Sequence, residues 1–372
     1  MGSGKEKFSL VDLVVVLCVA ALGISLLSPA LVQSREVDRV AKCKNQMRQL
    51  CLGVLNKESA TLRFPLAMSG KTAALKIDKR APFPFTDEDG YSWIVPILPY
   101  CDDFALFDEL AERSDRFSLP MNSETLKKDG KWLHAKAPEF LICPATDDEH
   151  RIVRGKHPKS LGKAEVSNYM GLVAGCVDGS RGTYGDINPT TGGLIVTRHA
   201  SPKGLKLGDG KDGTSKTAYL AESKAELFSF WFSGVGTSTV AMPPDLVQCS
   251  RIVRNKPDGF SAPKAGIPSA VNYGRDHDAK DGKWFSESYA PGPRDWGPSS
   301  RHIGGRVNHG FMDGHVSFFT KEIDPTAYFR LTTRGGAEPV DLKAVETAAE
   351  EFARVAEKES GSGESSSGSS SQ

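Results

Sequence analysis

Residues 8–32 read FSLVDLVVVLCVAALGISLLSPALV, and the 20 residues at 13–32 include no charged side chain. At about 1.5 Å of rise per residue, a helix of this length crosses the ~30 Å hydrocarbon core of a bilayer. Lys5 and Lys7 precede the stretch, and basic residues are favoured on the cytoplasmic side of a membrane. The pattern therefore predicts a cytoplasmic leader at 1–7, a single transmembrane segment at 8–32 with the lipid bilayer as its partner, and a body on the far side.

The helical pattern continues beyond the apolar stretch. Apolar residues recur at the spacing of one helix face, which predicts that residues 33–57 continue the same helix and pack it against the body. A cleaved secretory signal is the alternative, with Ser28-Pro29-Ala30 as its cleavage site. Because no turn-rich segment follows that site, we interpret the stretch as a retained anchor. The residues of the apolar face are Val37, Val40, Met47, Leu50, Val54 and Leu55, with Cys43 and Cys51 on or near it.

Composition and charge exclude several classes of protein. With 372 residues, 39% of them hydrophobic and 25% charged, the chain can form one large or two ordinary domains outside the membrane. Its 47 basic and 46 acidic side chains leave a formal net charge of +1, so no overall field favours nucleic acid. We therefore expect a globular body and no nucleic-acid partner.

The cysteines leave two alternatives open. Cys18 lies in the predicted span, and the other six lie in the part of the chain expected beyond the membrane, where disulfides are allowed. These six can form disulfides of unassigned pairing or remain free buried thiols. One pair is excluded, because Cys43 and Cys51 are eight residues, or about 12 Å, apart on the predicted helix. The six are Cys43, Cys51, Cys101, Cys143, Cys176 and Cys249.

Residues 58–340 form the predicted body. A C-terminal helix at 341–358, capped by Asp341, and a disordered Ser/Gly tail at 359–372 follow it. Within the body, Asp313-Gly314 between two apolar runs predicts a β-hairpin with a two-residue type I′ turn. The other predicted elements are a short helix at Phe104–Glu112, strands at Pro138–Pro144, Val166–Val177 and Lys216–Leu220, and hairpin strands at Val307–Met312 and His315–Phe319.

Three histidines, His302, His309 and His315, lie close to Asp313 in the sequence, and metal sites use such sets. A two-residue turn, however, places His309 and His315 on opposite faces of the hairpin, so they cannot share an ion. We therefore expect no metal ligand and no cofactor. His309 is interpreted as a packed residue, Asp313 as a turn residue, and His302 as a loop residue hydrogen-bonded to glycine-rich backbone. Glu222 is a second candidate for chemistry, and the alternative is a solvated acid at a strand end.

Trp284, Tyr289 and Trp296 lie in a segment rich in Pro and Gly that has few periodic elements. Aromatic side chains in such a loop can stack on a sugar ring or on a protein partner. They can equally pack the loop against the sheet. The three residues are therefore candidate ligand contacts, and both interpretations stay open.

The N-terminal segment resembles the methylation motif of type IV prepilins and pseudopilins, in which a short basic leader ends in Gly and the mature chain begins with Phe. Phe8 matches that first residue, and Pro29 lies where pilin helices often bend. Asp12 replaces the Glu that, in the motif, pairs with the N-terminal amine of a neighbouring subunit. Lys7 replaces the Gly before the cleavage site, so we expect the leader to be retained.

Further segments, in order along the chain, resemble a bacterial family of unknown function that joins a prepilin-type N-terminus to a C-terminal H-X9-DG signature. The signature corresponds to His302, Gly304-Gly305 and Asp313-Gly314, expected to be structural, with ten residues instead of nine between the His and the Asp. The resemblance implies no catalytic activity. It implies an α+β, type IV pilin-like fold in which a long N-terminal transmembrane helix packs on an antiparallel β-sheet with large loops. The other matching segments are Cys43-Lys44-Asn45, Ser92-Trp93 to Leu98-Pro99-Tyr100, Cys143-Pro144, Ser167-Asn168-Tyr169, Asp212 to Ser215 with Glu222, and Thr333 to Gly336.

Three functions follow as hypotheses. The first is a pseudopilin-like structural or interaction protein of the bacterial inner membrane, facing the periplasm or the cell surface. Its partners would be copies of itself or the components of a type II secretion or type IV pilus-like assembly. The second is a membrane-tethered carbohydrate-binding module, and the third is a metal-dependent hydrolase that uses His302. The predicted anchor and continuous helix favour the first, a protein that is not an enzyme.

Overall fold

The structure, a computed structural model, describes residues 10–69, 90–153, 164–174, 193–196, 201–225, 229–234, 236–241, 269, 271–272, 297–335 and 340–363. It describes the backbone but not the side chains of residues 10–12, 20–34, 240 and 358–363. Several sequence predictions therefore lie outside the described residues. They are those for Lys7, Phe8, Cys176, Cys249, Trp284, Tyr289 and Trp296, and for the side chain of Asp12.

A single long helix, 52 residues in length, begins the described chain. Three shorter α-helices follow in the body and near the C-terminus. The four are α1 (Leu10–Thr61), α2 (Phe104–Arg113), α3 (Pro325–Thr332) and α4 (Leu342–Gly363). Short 3-10 helices lie at Val95–Cys101, Glu124–Leu126, Glu139–Leu141, Asp148–His150, Leu207–Asp209, Thr214–Lys216 and Ile303–Gly305.

The strands described are β1 (Met68–Ser69), β2 (Tyr91–Ser92), β3 (Lys127–Lys128), β4 (Lys131–Trp132), β5 (Tyr169–Ala174), β6 (Ala218–Glu222), β7 (Ser238–Val240), β8 (Val307–Phe311) and β9 (Val316–Phe319). The first four pair two by two, and the other five form the main sheet in the order β7-β5-β6-β8-β9. Neighbouring strands of the main sheet are antiparallel except β5 and β7, which are parallel. The fold class is therefore α+β, as the sequence predicts.

The C-terminal half of α1 packs on one face of the main sheet. Its contacts with β8 are close, because a Cβ atom added to Gly310 would collide with Sγ of Cys51. On its other side the helix meets the segment Val95–Cys101, where a Cβ on Gly53 would lie 2.5 Å from Sγ of Cys101. The apolar side chains that α1 buries are at helical spacing, namely Cys43, Met47, Leu50, Cys51 and Val54. Val37, predicted to lie on this face, is 65% exposed because it precedes the part of α1 that contacts the body.

The opposite face of the sheet is covered by α3 and α4. His309 of β8 contacts the ring of Tyr328 in α3, and Ser317 of β9 donates a hydrogen bond to Glu346 in α4. Asp341 accepts a hydrogen bond from the backbone N–H of Ala344 at 3.2 Å, which confirms the predicted cap of α4. The sheet therefore lies between α1 on one side and the two C-terminal helices on the other.

The N-terminal half of α1 extends away from the body. Residues 13–19 are all exposed, with Leu13 55% and Val19 64% exposed. In the part of the chain whose side chains are described, no helix offers an apolar stretch of membrane-spanning length. The side chains at 20–34, most of the predicted span, lie outside that part. The membrane segment therefore stays a prediction.

The hairpin turn differs from its prediction. His309 pairs with Ser317 and Gly310 with Val316, so the loop spans Met312 to Gly314, three residues instead of two. Only Gly314 in that loop has a positive φ, +88°, whereas a type I′ turn requires two such residues. The shift by one residue exchanges the faces of β9 relative to β8, so His309 and His315 lie on the same face and not on opposite faces as predicted.

Two other element predictions were wrong. Pro138–Pro144 is not a strand, because Glu139–Leu141 forms a 3-10 turn and its apolar residues are buried by loop packing. The C-terminal helix continues to Gly363, into the predicted Ser/Gly tail. The helix at 104–113 and the strands near 169–174 and 218–222 confirm the predicted elements to within a few residues.

Candidate functional site

Four polar side chains converge beneath α1. Cys43 comes from α1, Cys143 from the loop after the turn Glu139–Leu141, Glu222 from the end of β6, and His302 from the loop before β8. All four residues are at most 2% exposed. Their sulfur, oxygen and nitrogen atoms that can bind a metal all lie within 4.8 Å of one another. This set is called the Cys-Glu-His cluster below.

One carboxylate oxygen, Oε1 of Glu222, joins the cluster. It accepts a hydrogen bond from the Cys43 thiol at 3.1 Å and lies 3.2 Å from Nε2 of His302. The same Nε2 lies 3.5 Å from Sγ of Cys143. Every member therefore contacts at least one other member directly.

Polar groups outside the cluster make hydrogen-bond contacts with His302 and Glu222. Oε1 of Glu36 lies 2.9 Å from Nδ1 of His302 and also accepts the backbone N–H of Ile303 at 3.1 Å. Oε2 of Glu222 accepts two hydrogen bonds from Asn308, one from the backbone N–H at 3.2 Å and one from the side-chain amide at 3.1 Å. Both acidic groups are thus oriented by neighbours outside the cluster.

The two cysteines are oriented in the same way. The Tyr169 hydroxyl lies 3.1 Å from Sγ of Cys43 and donates a hydrogen bond to Gln46 at 3.0 Å. Asn168 accepts the backbone N–H of Cys143 on its side-chain oxygen at 2.9 Å. Because these residues follow one another at the start of β5, one short segment supports both thiols.

The local sequence explains why these groups meet. Glu222 ends a strand in which all five residues are buried, and it lies opposite Tyr169 in the β5–β6 register. The chain leaves His302 through Gly304 and Gly305, whose φ angles of +79° and +67° are rarely adopted by other residues. This turn leads directly into β8, and it sets the position of His302 above the sheet.

Charge is concentrated in the His302–Glu222 pair. Burial alone lowers the pKa of His302, but the Glu222 carboxylate, helped by Cys143 and Glu36, outweighs burial and raises that pKa to about 12. Burial raises the pKa of Glu222, yet the imidazolium of His302 overcomes this effect and lowers it. Burial, then contacts with Cys143 and Glu222, raise the pKa of Cys43 well above its usual range. Without a metal, the cluster therefore contains an ion pair and a neutral Cys43 thiol.

Two thiols, an imidazole and a carboxylate are donors that bind Zn²⁺ and similar transition metals. Within the described chain these four side chains could hold such an ion. The cysteines of the described residues, including Cys43 and Cys143, are free thiols. They are available as thiolate ligands, or as partners in oxidation.

A protein-family model matches residues 33–326 of the chain, and this family is described as a protein of unknown function (DUF1559). The chain belongs to this family. The matched region covers more than half of the 372 residues and includes all four members of the Cys-Glu-His cluster. Comparisons with curated proteins and with solved structures gave no match.

Within the DUF1559 match, the predicted signature residues separate into two places. His302, Gly304 and Gly305 lie at the cluster, whereas Asp313 and Gly314 lie in the hairpin turn. Asp313 accepts the backbone N–H of His315 at 3.1 Å, so it is a turn residue as expected. His302 is a loop residue whose backbone oxygen accepts the N–H of Gly305 at 3.2 Å, as expected, but its ring contacts two carboxylates and a thiol, which the sequence did not predict.

The other histidines lie outside the cluster. His309 makes hydrogen-bond contacts with the backbone oxygen of Val307 at 2.9 Å and the hydroxyl of Tyr328 at 2.7 Å, and burial lowers its pKa to about 4. His315 stacks on Phe311 with ring centroids 4.2 Å apart. The corrected register places His309 and His315 on one sheet face, but each has its own partners, and neither belongs to the cluster.

Sequence reasoning missed Cys43, Cys143 and Glu222 as one site. The interpretation of Glu222 as a solvated acid was wrong, because it is 1% exposed. A signal was present, because separate segments resembling the family each contributed one of these residues: Cys43-Lys44-Asn45, Cys143-Pro144, Glu222 and Ser300-Arg301-His302. Four reactive residues in four segments could have been tested as a single site.

Proposed function

We propose that this chain is a membrane-anchored, pilin-like structural or interaction protein of the bacterial inner membrane. Its body faces the periplasm or the cell surface, and its partners are copies of itself or components of a type II secretion or type IV pilus-like assembly. The observation that supports this proposal is the contrast along α1 between an exposed apolar run at 13–19 and the later residues that pack on the sheet. A protein with such a helix serves as a displayed body on an apolar stalk.

The contrast along α1 is large. Val16 and Val19 are 58% and 64% exposed in an unbroken exposed run at 13–19, whereas Met47 and Leu50 are fully buried. An exposed apolar surface of this kind marks a contact with lipid or with another protein. The two halves meet near Glu36, whose contact with His302 fixes the helix where it leaves the body. This arrangement fits a helix held rigidly at one end and covered by a bilayer at the other.

Membrane extraction of the full-length chain tests the anchor. Alkaline carbonate should leave the wild-type chain in the membrane fraction. Replacing Val15 and Val16 with Lys should release it, because each Lys in a span costs about 2.5–3.5 kcal/mol. The matched control replaces Val37 and Leu52, which are 65% and 49% exposed on the same helix outside the predicted span. Release of the wild-type chain, or equal extraction of both double variants, would contradict the anchor.

Processing and assembly need their own measurement. Because Lys7 replaces the Gly before the cleavage site, intact mass should show a chain that still contains residues 1–7. A cysteine introduced at Leu13, in a Cys18→Ser background, should crosslink between copies in the membrane if the helices associate. A mass that starts at Phe8 would refute retention of the leader, and a strictly monomeric species would refute assembly with copies of itself.

The two other hypotheses receive less support. The carbohydrate-binding module depends on Trp284, Tyr289 and Trp296, which lie outside the described residues. The hydrolase depends on His302, which does lie among metal-binding donors. All four donors are buried, however, and a hydrolytic metal needs an open position for water and substrate. A role without catalysis therefore agrees better with the site.

A further inference from the structure

The spacing of the Cys-Glu-His cluster matches a tetrahedral metal site. Around a four-coordinate zinc ion with bonds of roughly 2.0–2.3 Å, neighbouring ligand atoms lie about 3.2–3.8 Å apart. Here Sγ of Cys43 and Nε2 of His302 lie 3.1 and 3.2 Å from Oε1 of Glu222, and Sγ of Cys143 lies 3.5 Å from the same Nε2. These three of the six edges are at or close to the expected length, and the other three are no longer than 4.8 Å. We propose that Cys43, Cys143, Glu222 and His302 bind one thiophilic divalent cation, with Zn²⁺ as the expected ion.

The surrounding hydrogen bonds are those that metal ligands require. A metal-bound His usually donates its other ring N–H to a carboxylate, and Nδ1 of His302 lies 2.9 Å from Glu36 while Nε2 faces the cluster. A metal-bound carboxylate is itself hydrogen-bonded, and Asn308 occupies the Glu222 oxygen that points away. The Tyr169 hydroxyl lies 3.1 Å from Sγ of Cys43, and with a thiolate there it would donate to the sulfur instead of to Gln46. Three of the four ligands thus have an orienting partner.

Charge also favours a cation in the cluster. Glu36 and Glu222 both contact His302, and besides His302 the described ion pairs of Glu36 include only a long 4.0 Å contact with Arg39. One imidazolium thus faces two carboxylates and two thiols at a buried position. A divalent cation would compensate this excess of acidic groups, and it would bind the thiols as thiolates.

The site is closed, which indicates a structural role. All four coordination positions come from the protein, and no member is more than 2% exposed. The ion would join α1 to three segments that lie about 100 to 260 residues further along the chain. It would therefore lock the helix to the body one to two turns from Glu36, whether or not the other half of α1 enters a membrane.

Metal analysis of the purified full-length chain tests the proposal. We expect one zinc per chain, and after exchange with Co²⁺ an absorption spectrum with thiolate-to-cobalt charge transfer and tetrahedral d–d bands. A zinc chelator should lower the Tm, and Zn²⁺ but not Mg²⁺ should restore it. A reduced chain that takes up neither Zn²⁺ nor Co²⁺ would overturn the proposal. So would a metal-free chain whose peptides show a Cys43–Cys143 disulfide.

Variants separate the site from helix packing. Cys43→Ser should reduce zinc content at least tenfold, whereas Cys51→Ser, the same change at another fully buried position of α1, should leave it at one per chain. Glu36→Gln keeps all four ligands and should weaken zinc binding by about 10–100-fold. This variant and the chelation experiment remain decisive if Cys43→Ser does not fold. Equal zinc content in the two Cys→Ser variants would refute the assignment.

Discussion

Two buried cysteines eight residues apart on α1 have opposite surroundings. Cys43 faces a carboxylate, an imidazole and a second thiol, whereas Cys51 packs over Gly310 of β8. Each has a tyrosine at the neighbouring strand, since the hydroxyl of Tyr169 contacts Cys43 and that of Tyr219 contacts the backbone oxygen of Cys51. The helix periodicity that predicts burial is the same at both positions. The chemistry differs because distant segments, not the helix, supply the neighbours.

The largest effect on stability is expected at Cys43, where α1 meets the Cys-Glu-His cluster. In the metal-free chain, His302→Ala removes the imidazole that pairs with Glu222 and leaves that carboxylate buried. Breaking a buried ion pair by removing one partner costs about 3–5 kcal/mol. The free energy of unfolding, measured by urea denaturation, should fall by that amount. His315→Ala at the partly exposed hairpin turn is the control, with an expected loss within about 1 kcal/mol. Equal losses would mean that the His302 pair is not a special contact.

A moderate effect on stability is expected at Cys51, where α1 packs on β8. Gly310→Ala places a methyl group against Sγ of Cys51 and 3.3 Å from Cβ of Leu220, so α1 must move away from β8. Overpacking of this kind costs about 1–3 kcal/mol. Gly208→Ala, where a Cβ atom meets no neighbour within 4 Å, should change the unfolding free energy by no more than about 0.5 kcal/mol.

The zinc content of the Gly310→Ala variant tests whether packing at Cys51 and metal binding at Cys43 are independent. Gly310 contacts none of the four cluster residues, so a folded variant should retain the metal of the wild-type chain. Loss of zinc together with a lower unfolding free energy would show that the packing around Cys51 and the cluster around Cys43 act as one unit. An unchanged unfolding free energy would show that α1 and β8 can move apart at Gly310 at little cost.

The difference between Cys43 and Cys51 also shows how much of the structure could be predicted from the sequence. The α1 helix, most of its buried face and the hairpin follow from periodicity and turn residues, which are local properties of the chain, whereas the α+β class came from the family resemblance. The cluster does not, because Cys43 and Glu222 are 179 residues apart and only the fold brings them together. A carboxylate at a strand end is ordinarily solvated, so burial of Glu222 required knowledge of the loops that cover it.

The hairpin illustrates a second limit. Asp313-Gly314 predicts a turn correctly, but a type I′ turn needs a positive φ at both residues, and of the two only Gly314 has one. A shift of one residue exchanges the faces of a strand, so a correct element gave the wrong relative faces for His309 and His315. The metal argument built on that side was therefore directed at the wrong histidines, while His302 lay in the site.

The smallest effects on stability are expected from the two tyrosines that contact Cys43 and Cys51. Tyr219→Phe removes a hydrogen bond of 3.1 Å to the Cys51 backbone oxygen, and Tyr169→Phe removes the hydroxyl that lies 3.1 Å from Sγ of Cys43. Each change should cost about 0.5–1.5 kcal/mol of unfolding free energy, the usual contribution of one hydrogen bond. Only Tyr169→Phe should also weaken zinc binding, by about 10–100-fold, because its hydroxyl supports a proposed ligand. Competition with a zinc chelator measures this affinity, and equal affinities in the two variants would leave Tyr169 with a packing role alone.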